Sequence, residues 1–427
     1  MEVILVNEGS AGTIHVIDAL TKLSHATFKG APAKDNTLCV LRQEYFIFAS
    51  AQKPVLNVFE ACRKRTQNKN IVIPGKANSL CTSNDGNYIA SGIEETVMIW
   101  DAVTGDLVAG LRRHYQDVVC LSFTSDCAHI VSCGLDGLIS LWNLPKILKS
   151  HSSTGGNVEP EWCISAHALP ITSMWLSQTC SSHCRIFSGS LDKTVKVHDP
   201  SLKTTILTMV FNHPVTSLAC DASESMLFVG FENGTIGIVN LIKLANELPD
   251  SNTTSPTVNI NESNSTFCTI TKAHLKRITS INVGLDSSYL VTGSLDCQVK
   301  VWDIYSRQCI KSITYQNIVS SVRLCMMPPN MQSNENAPQY EFPRLAHAVS
   351  STSQIENGCF LLGKSESTAQ TKTNKVVSVS GASSTLAGDN SYNELVARNK
   401  ALQDSVDSLT KKNQHLAAMA VERLMTY

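Results

Sequence analysis

Leu295-Asp296-Cys297-Gln298-Val299-Lys300-Val301-Trp302-Asp303 is the stretch on which the fold of this chain turns. An acid suited to a tight turn is followed by apolar Val299 and Val301 alternating with polar Gln298 and Lys300, and the run ends on Trp-Asp. Alternation at period two marks a strand, and the turn acid marks where it starts. The same device stands at Leu135-Asp136-Gly137-Leu138-Ile139-Ser140-Leu141-Trp142. It stands again, with His in the place of Trp, at Ser190-Leu191-Asp192-Lys193-Thr194-Val195-Lys196-Val197-His198-Asp199. A strand that recurs together with its turn is an internal repeat, and a repeat decides the architecture before any single element does.

Anchoring on the Trp position gives a ladder: Ile17-Asp18, Phe59-Glu60, Trp100-Asp101, Trp142-Asn143, His198-Asp199, Val239-Asn240 and Trp302-Asp303. The steps are 42, 41, 42, 56, 41 and 63 residues. Four of them fall in the range of roughly 40–45 residues expected of WD repeats. Seven rungs predict seven blades of an all-β WD40 propeller. In the fourth unit, Val118 to Phe123 is expected as the innermost strand and His129 to Ser132 as the next, with Asp136 turning into Leu138 to Trp142. One four-stranded sheet cannot bury both faces, so the blades must stack around an axis. The N-terminus supplies only about two strands before Ile17, while apolar runs follow Trp302 at Ile318 to Cys325 and around Leu345 to Val349. Joining the late strands to the early ones closes the ring and hides its edges. The propeller is therefore expected over residues 1–350.

Composition agrees with a binding module and excludes several alternatives. Apolar residues make up 43% of the chain, enough for a sizeable core, and 35 basic residues against 36 acidic ones leave a net charge of −1. Such a balance creates no global field toward nucleic acid or an anionic membrane. The 15 cysteines include no C-x-x-C pair, which predicts reduced thiols. No signal segment and no membrane span are expected. The basic run Arg63-Lys64-Arg65 with Lys69 falls in a connection between blades, where a solvated turn is the first reading and a weak nuclear import signal or a phosphate contact the alternative.

Four polar types recur from unit to unit: His, Ser or Thr, the turn Asp, and Trp. The fullest sets are His114, Ser132, Asp136, Trp142 and His274, Thr292, Asp296, Trp302. His167, Ser188 and Asp192 lack the Trp, and His213 with Asn233 lacks more. Ser, His and Asp together can form a nucleophilic triad. A triad would occur once, whereas these sets repeat, which predicts a hydrogen-bonded relay that satisfies buried groups and ties strands together. No P-loop, dinucleotide fingerprint, H-E-x-x-H or zinc-spaced Cys/His cluster is present. No catalytic, cofactor or metal residue is expected.

Two insertions, Lys146 to Glu161 and Asn246 to Ser265, are expected as exposed loops. Residues 351–390 are rich in Ser, Thr, Asn and Gln and predict a disordered linker. Residues 391–427 change character: Leu395, Leu402, Leu409 and Leu416 recur every seventh residue, with Asn399, Val406, Asn413 and Ala420 at the other seam position. That pattern predicts a C-terminal coiled-coil helix, and the seam Asn residues favour a parallel homodimer. Docking of the helix on another protein or on the propeller is the alternative.

Three further strings carry a resemblance: Arg113-His114-Tyr115-Gln116-Asp117-Val118-Val119-Cys120-Leu121-Ser122-Phe123-Thr124, His167-Ala168-Leu169-Pro170-Ile171-Thr172, and Ser306-Arg307-Gln308-Cys309-Ile310. With the C-terminal coiled coil, they resemble the WD repeat-containing protein 18 family. The absence of Trp at His198 and Val239 marks a diverged member. The resemblance implies a non-enzymatic scaffold subunit of the rixosome, a nuclear complex acting on precursors of the large ribosomal subunit in rRNA processing. It implies as partners a helical-repeat scaffold rich in Pro, Glu and Leu, a smaller helical-repeat subunit, the AAA ATPase midasin and the pre-ribosomal large-subunit particle. The expected location is the nucleus, nucleolus and nucleoplasm both, with some in the cytoplasm.

Three other functions fit the sequence less well. A substrate adaptor of a cullin ubiquitin ligase commonly carries Trp-Asp-x-Arg, but Trp302-Asp303 is followed by Ile304 and Tyr305. A G-protein β-like signalling subunit places its coiled coil before the propeller. An enzymatic propeller would need a site unique to one blade.

Overall fold

A computed structural model of the chain describes residues 2–346, apart from 20, 22, 62–67, 153–157, 180–183, 248–255, 261–267 and 333–341. The linker expected at 351–390, the coiled coil expected at 391–427 and Arg63-Lys64-Arg65 lie outside the described residues.

Seven sheets follow one another along the chain, each built around one rung of the ladder. The fourth blade consists of Val118–Phe123, His129–Gly134, Leu138–Asn143 and Trp162–Ser165, each strand antiparallel to the next. The first blade is composite. Its innermost strand is Val319–Met326, which pairs antiparallel with Glu2–Glu8 from Glu2↔Met326 to Glu8↔Val319. Thr13–Asp18 and Ser24–Lys29 complete it. The two chain ends thus close one sheet, and the innermost strands surround a channel of about 710 Å³ whose lining includes Leu80, Leu121, Met174, Leu218, Ile281 and Arg323.

Period-two alternation buries both faces of a blade because each face meets a different neighbour. In the seventh blade Val299 and Val301 pack with Ile4, Val6, Val319 and Val322 of the first. Trp302 and Leu290 point the other way, onto Phe228, Ile236 and Ile238 of the sixth. Val299 is wholly buried and Val301 nearly so, so this one strand contributes to two inter-blade cores. Fully burying an aliphatic side chain stabilises by about 1.5–3 kcal/mol.

Three expectations need correction. The insertion at Lys146 to Glu161 begins as a helix, Leu144–Ser152. Asn143 caps it, its Oδ1 accepting the Lys146 N–H at 3.0 Å, and Ile147 is buried against the third and fourth blades. An apolar residue one turn after a capped start is enough to seat a helix on the sheet edge. The second insertion is likewise not all loop: Leu241–Glu247 is a helix capped by Asn240, and Thr257–Asn259 adds a fifth, parallel strand to the fifth blade. Buried Ile260 anchors that strand. Finally, of the run expected around Leu345 to Val349 only Leu345 and Ala346 lie among the described residues, and they form no strand; Phe342 and Leu345 pack into the core between the second and third blades.

Candidate functional site

The recurring polar residues meet inside three blades. In the fourth, Asp136 sits in the turn joining the two middle strands, and His114 lies in the loop that enters the blade. His114 Nδ1 is 3.1 Å from Asp136 Oδ2, and His114 Nε2 is 2.8 Å from Ser132 Oγ. Trp142 Nε1–H donates to the same hydroxyl at 2.9 Å. The hydroxyl is then the donor to His114 Nε2, and Nδ1–H donates to the carboxylate. Asp136 also accepts the backbone N–H groups of Tyr115 and Leu138, each at 3.0 Å. One carboxylate therefore fixes the entry loop, the ring and the turn.

The seventh blade repeats this arrangement. His274 Nδ1 to Asp296 Oδ2 is 2.9 Å, His274 Nε2 to Thr292 Oγ1 is 2.8 Å, and Trp302 Nε1–H donates to Thr292 Oγ1 at 3.0 Å. In the fifth blade His167 contacts Asp192 at 2.9 Å and Ser188 at 2.8 Å. There His198 stands where Trp is missing, its Nε2 3.0 Å from Ser188 Oγ and its Nδ1 3.1 Å from Thr205 Oγ1. This set was incomplete in the sequence because a His–His pair across a serine is not part of the repeat pattern. The ladder had placed His198 on the Trp rung, which was the available signal.

The electrostatics follow from burial and partners. Burial works to raise the Asp192 pKa, but hydrogen bonds from His167 and Thr194 outweigh it and bring it down to about 2. Asp136 and Asp296 are likewise held low despite burial, through His114 and His274 and the backbone donors around them. Burial lowers the His274 pKa in spite of its Asp296 partner. Burial, with His167 and Lys196 nearby, lowers that of His198 to about 3. His198 is neutral at physiological pH. Ser132, Ser188 and Thr292 have no exposed surface at all, so none of the three hydroxyls meets solvent.

Elsewhere the set is dismantled. Blade three keeps a serine and a tryptophan, but Ser91 Oγ donates to Ser79 O at 3.1 Å and Trp100 Nε1–H donates to Ala346 O at 2.8 Å. His213 lies with its ring 6.3 Å from that of Phe231, and Asn233 Oδ1 accepts from the Thr235 N–H and hydroxyl in its own turn. The first and second blades are joined instead through rings, Phe28 being 5.6 Å from Phe46 and 5.5 Å from Phe59. Among the described residues, no group of three His, Cys, Asp or Glu side chains could hold a metal ion, and no helix is long and apolar enough to cross a membrane.

A ring of four-stranded blades tied by His–Asp–Ser/Thr–Trp relays defines a WD-repeat propeller. The family model for the WD domain, G-beta repeat, matches residues 105–143, 158–199 and 265–303, which are the segments that carry the three relays. The chain is 32% identical to WD repeat-containing protein 18 of Danio rerio over 354 residues, 82% of this chain and 79% of that one. It is 31% identical to the Homo sapiens protein of the same name over 324 residues, 74% of this chain and 71% of the other. It is 25% identical to the Schizosaccharomyces pombe pre-rRNA-processing protein crb3/ipi3, with 76% of each chain covered. The chain belongs to the WD repeat-containing protein 18 family.

Proposed function

We propose that this chain is a non-enzymatic scaffold subunit of a nuclear complex that matures precursors of the large ribosomal subunit. The observation that carries the reading is the similarity along most of both chains to family members, together with relatives whose names state pre-rRNA processing. The relays serve display rather than catalysis. Asp136 and Asp296 hold the backbone N–H groups of Tyr115 and Leu275. Those side chains are 70% and 80% exposed, on loops that enter the fourth and seventh blades at the same face of the ring. Large apolar side chains held outward by a buried carboxylate suit protein recognition. The partners proposed are a Pro/Glu/Leu-rich helical-repeat scaffold, a smaller helical-repeat subunit, midasin and the pre-ribosomal particle, in nucleolus and nucleoplasm. Depletion should accumulate unprocessed large-subunit rRNA precursors and leave small-subunit rRNA intact, and tagged chain should retrieve helical-repeat subunits from nuclear extract. Normal large-subunit processing with stabilised ubiquitin-ligase substrates would favour an adaptor instead.

A further inference from the structure

Blade three has lost the histidine of its relay, and its tryptophan has acquired another partner. Trp100 Nε1–H donates to Ala346 O at 2.8 Å, and the Ala346 N–H donates to Gly105 O at 2.7 Å. One residue of the segment that follows the last blade strand is thus gripped at both backbone groups by a blade it does not belong to. Phe342 lies with its ring 5.7 Å from Tyr45, edge to face, and Leu345 is 4% exposed in the core between the second and third blades. Gly105 has φ +81°, and a Cβ there would come within 2.2 Å of Arg344 O. The groove therefore shows two separate adaptations to a docked backbone segment: a tryptophan freed from its relay, and a glycine that lets backbone approach.

We propose that the groove between the second and third blades is a peptide-binding site, filled in cis by residues 342–346. It selects a segment with Phe and Leu three residues apart and a small residue after the Leu. Apolar anchors supply the affinity, and the Trp100 N–H with the Gly105 carbonyl reads the backbone, as in other recognition of extended peptides. The occupant is this chain's own strap. Its presence on the same chain gives it an effective concentration that a free peptide must overcome.

The test uses a labelled synthetic peptide of residues 340–348 and the full chain. The Phe342→Ala/Leu345→Ala chain should bind the peptide at least about tenfold more tightly than wild type, because its own strap no longer competes. Gly105→Asn should evict the strap without altering it, since Asn tolerates left-handed backbone while its Cβ takes the space of Arg344 O. That chain should show fast amide exchange at Ala346, where wild type is slow, and should not bind the peptide. If the double variant fails to fold, Leu345→Ala alone replaces it. A folded strap variant that ignores the peptide, or a Gly105→Asn chain whose Ala346 amide still exchanges slowly, overturns the proposal.

Discussion

His198 makes the fifth blade sensitive to acid in a pH range where the carboxylates of the relays are not. Its side chain is wholly buried, Nε2 against Ser188 and Nδ1 against Thr205, and its pKa is lowered from 6.5 to about 3. Below pH 6.5 the unfolded chain takes up a proton at this position that the folded chain refuses, so stability falls with pH until the folded group also titrates, near 3. At pH 4.5 the folded ring is still neutral, and two pH units below the unfolded pKa correspond to a loss of about 3 kcal/mol. Asp192, depressed to about 2, stabilises above its unfolded value and loses that contribution only as pH falls below 3.8. The interval from 7 to 4.5 is therefore free of it. His274, also lowered, contributes in the same interval to every version of the chain that retains it. The comparison is urea unfolding at pH 7 and at pH 4.5, for wild type and His198→Gln. Gln keeps a donor for Ser188 and does not titrate, and its own cost cancels when each chain is referred to its value at pH 7. Wild type should lose about 3 kcal/mol more than the variant over this interval. Equal losses in the two chains would refute the neutral, buried His198.

Three further outcomes are expected. Asp296→Ala and His274→Ala should each destabilise by about 1–3 kcal/mol, and a double-mutant cycle should show strong non-additivity; additive losses would mean the two do not act as one relay. Gly134→Ala should cost more than an exposed strand substitution, because its Cβ would lie 2.6 Å from Asp136 Oδ1 and 2.8 Å from His114 Nδ1; an unchanged melting temperature would contradict the close packing. In the tail, Leu402→Asp/Leu409→Asp should give monomers by analytical ultracentrifugation with the propeller's melting unchanged, while Asn399→Leu/Asn413→Leu should tighten association and relax its preference for two chains. Monomers for both wild type and the Asp version, with and without partners, would mean that the heptad pattern of residues 391–427 serves docking rather than self-pairing.

The propeller was legible because its evidence recurs. Turn Asp, alternating strand and terminal Trp-Asp, or the residues that stand in its place at a regular step, locate seven rungs, and the surplus strand at each end predicts a composite first blade, which Glu2–Glu8 and Val319–Met326 form. The insertions were less legible because a capped helix turn carries no period-two pattern. The two rungs that end in Asn, Trp142-Asn143 and Val239-Asn240, are those where the chain runs directly into a helix, with the Asn side chain capping it. Where Asp stands, as at Asp101, Asp199 and Asp303, the carboxylate instead accepts N–H groups two residues on and closes a tight turn toward the outer strand. The polar composition of 246–265 concealed Ile260, one buried side chain that holds a strand in place. The strap was illegible for a different reason: Phe342 and Leu345 carry no strand or helix period, and only the geometry of Trp100 identifies their partner.

Different parts of one ring are held together by different physics. The fourth, fifth and seventh blades rely on relays whose hydrogen bonds demand particular residues at particular positions, so these are the blades in which the repeat remains visible. The first two blades rely on the Phe28, Phe46 and Phe59 rings, and the second and third share a core completed by Phe342 and Leu345. Apolar packing fixes volume and periodicity but tolerates many side chains, so this part of the ring can lose the repeat signature without losing the fold. The relays also hold entry loops, since Asp136 and Asp296 bind loop N–H groups directly, whereas aromatic cores leave loop backbone to its own turns. Tyr115 and Leu275 therefore stand on loops with fixed backbone, and that rigidity lowers the entropy lost when a partner docks on them. The strap does for the third blade what the relay does for the fourth: it satisfies a buried tryptophan N–H, but with a residue 246 positions away in the chain.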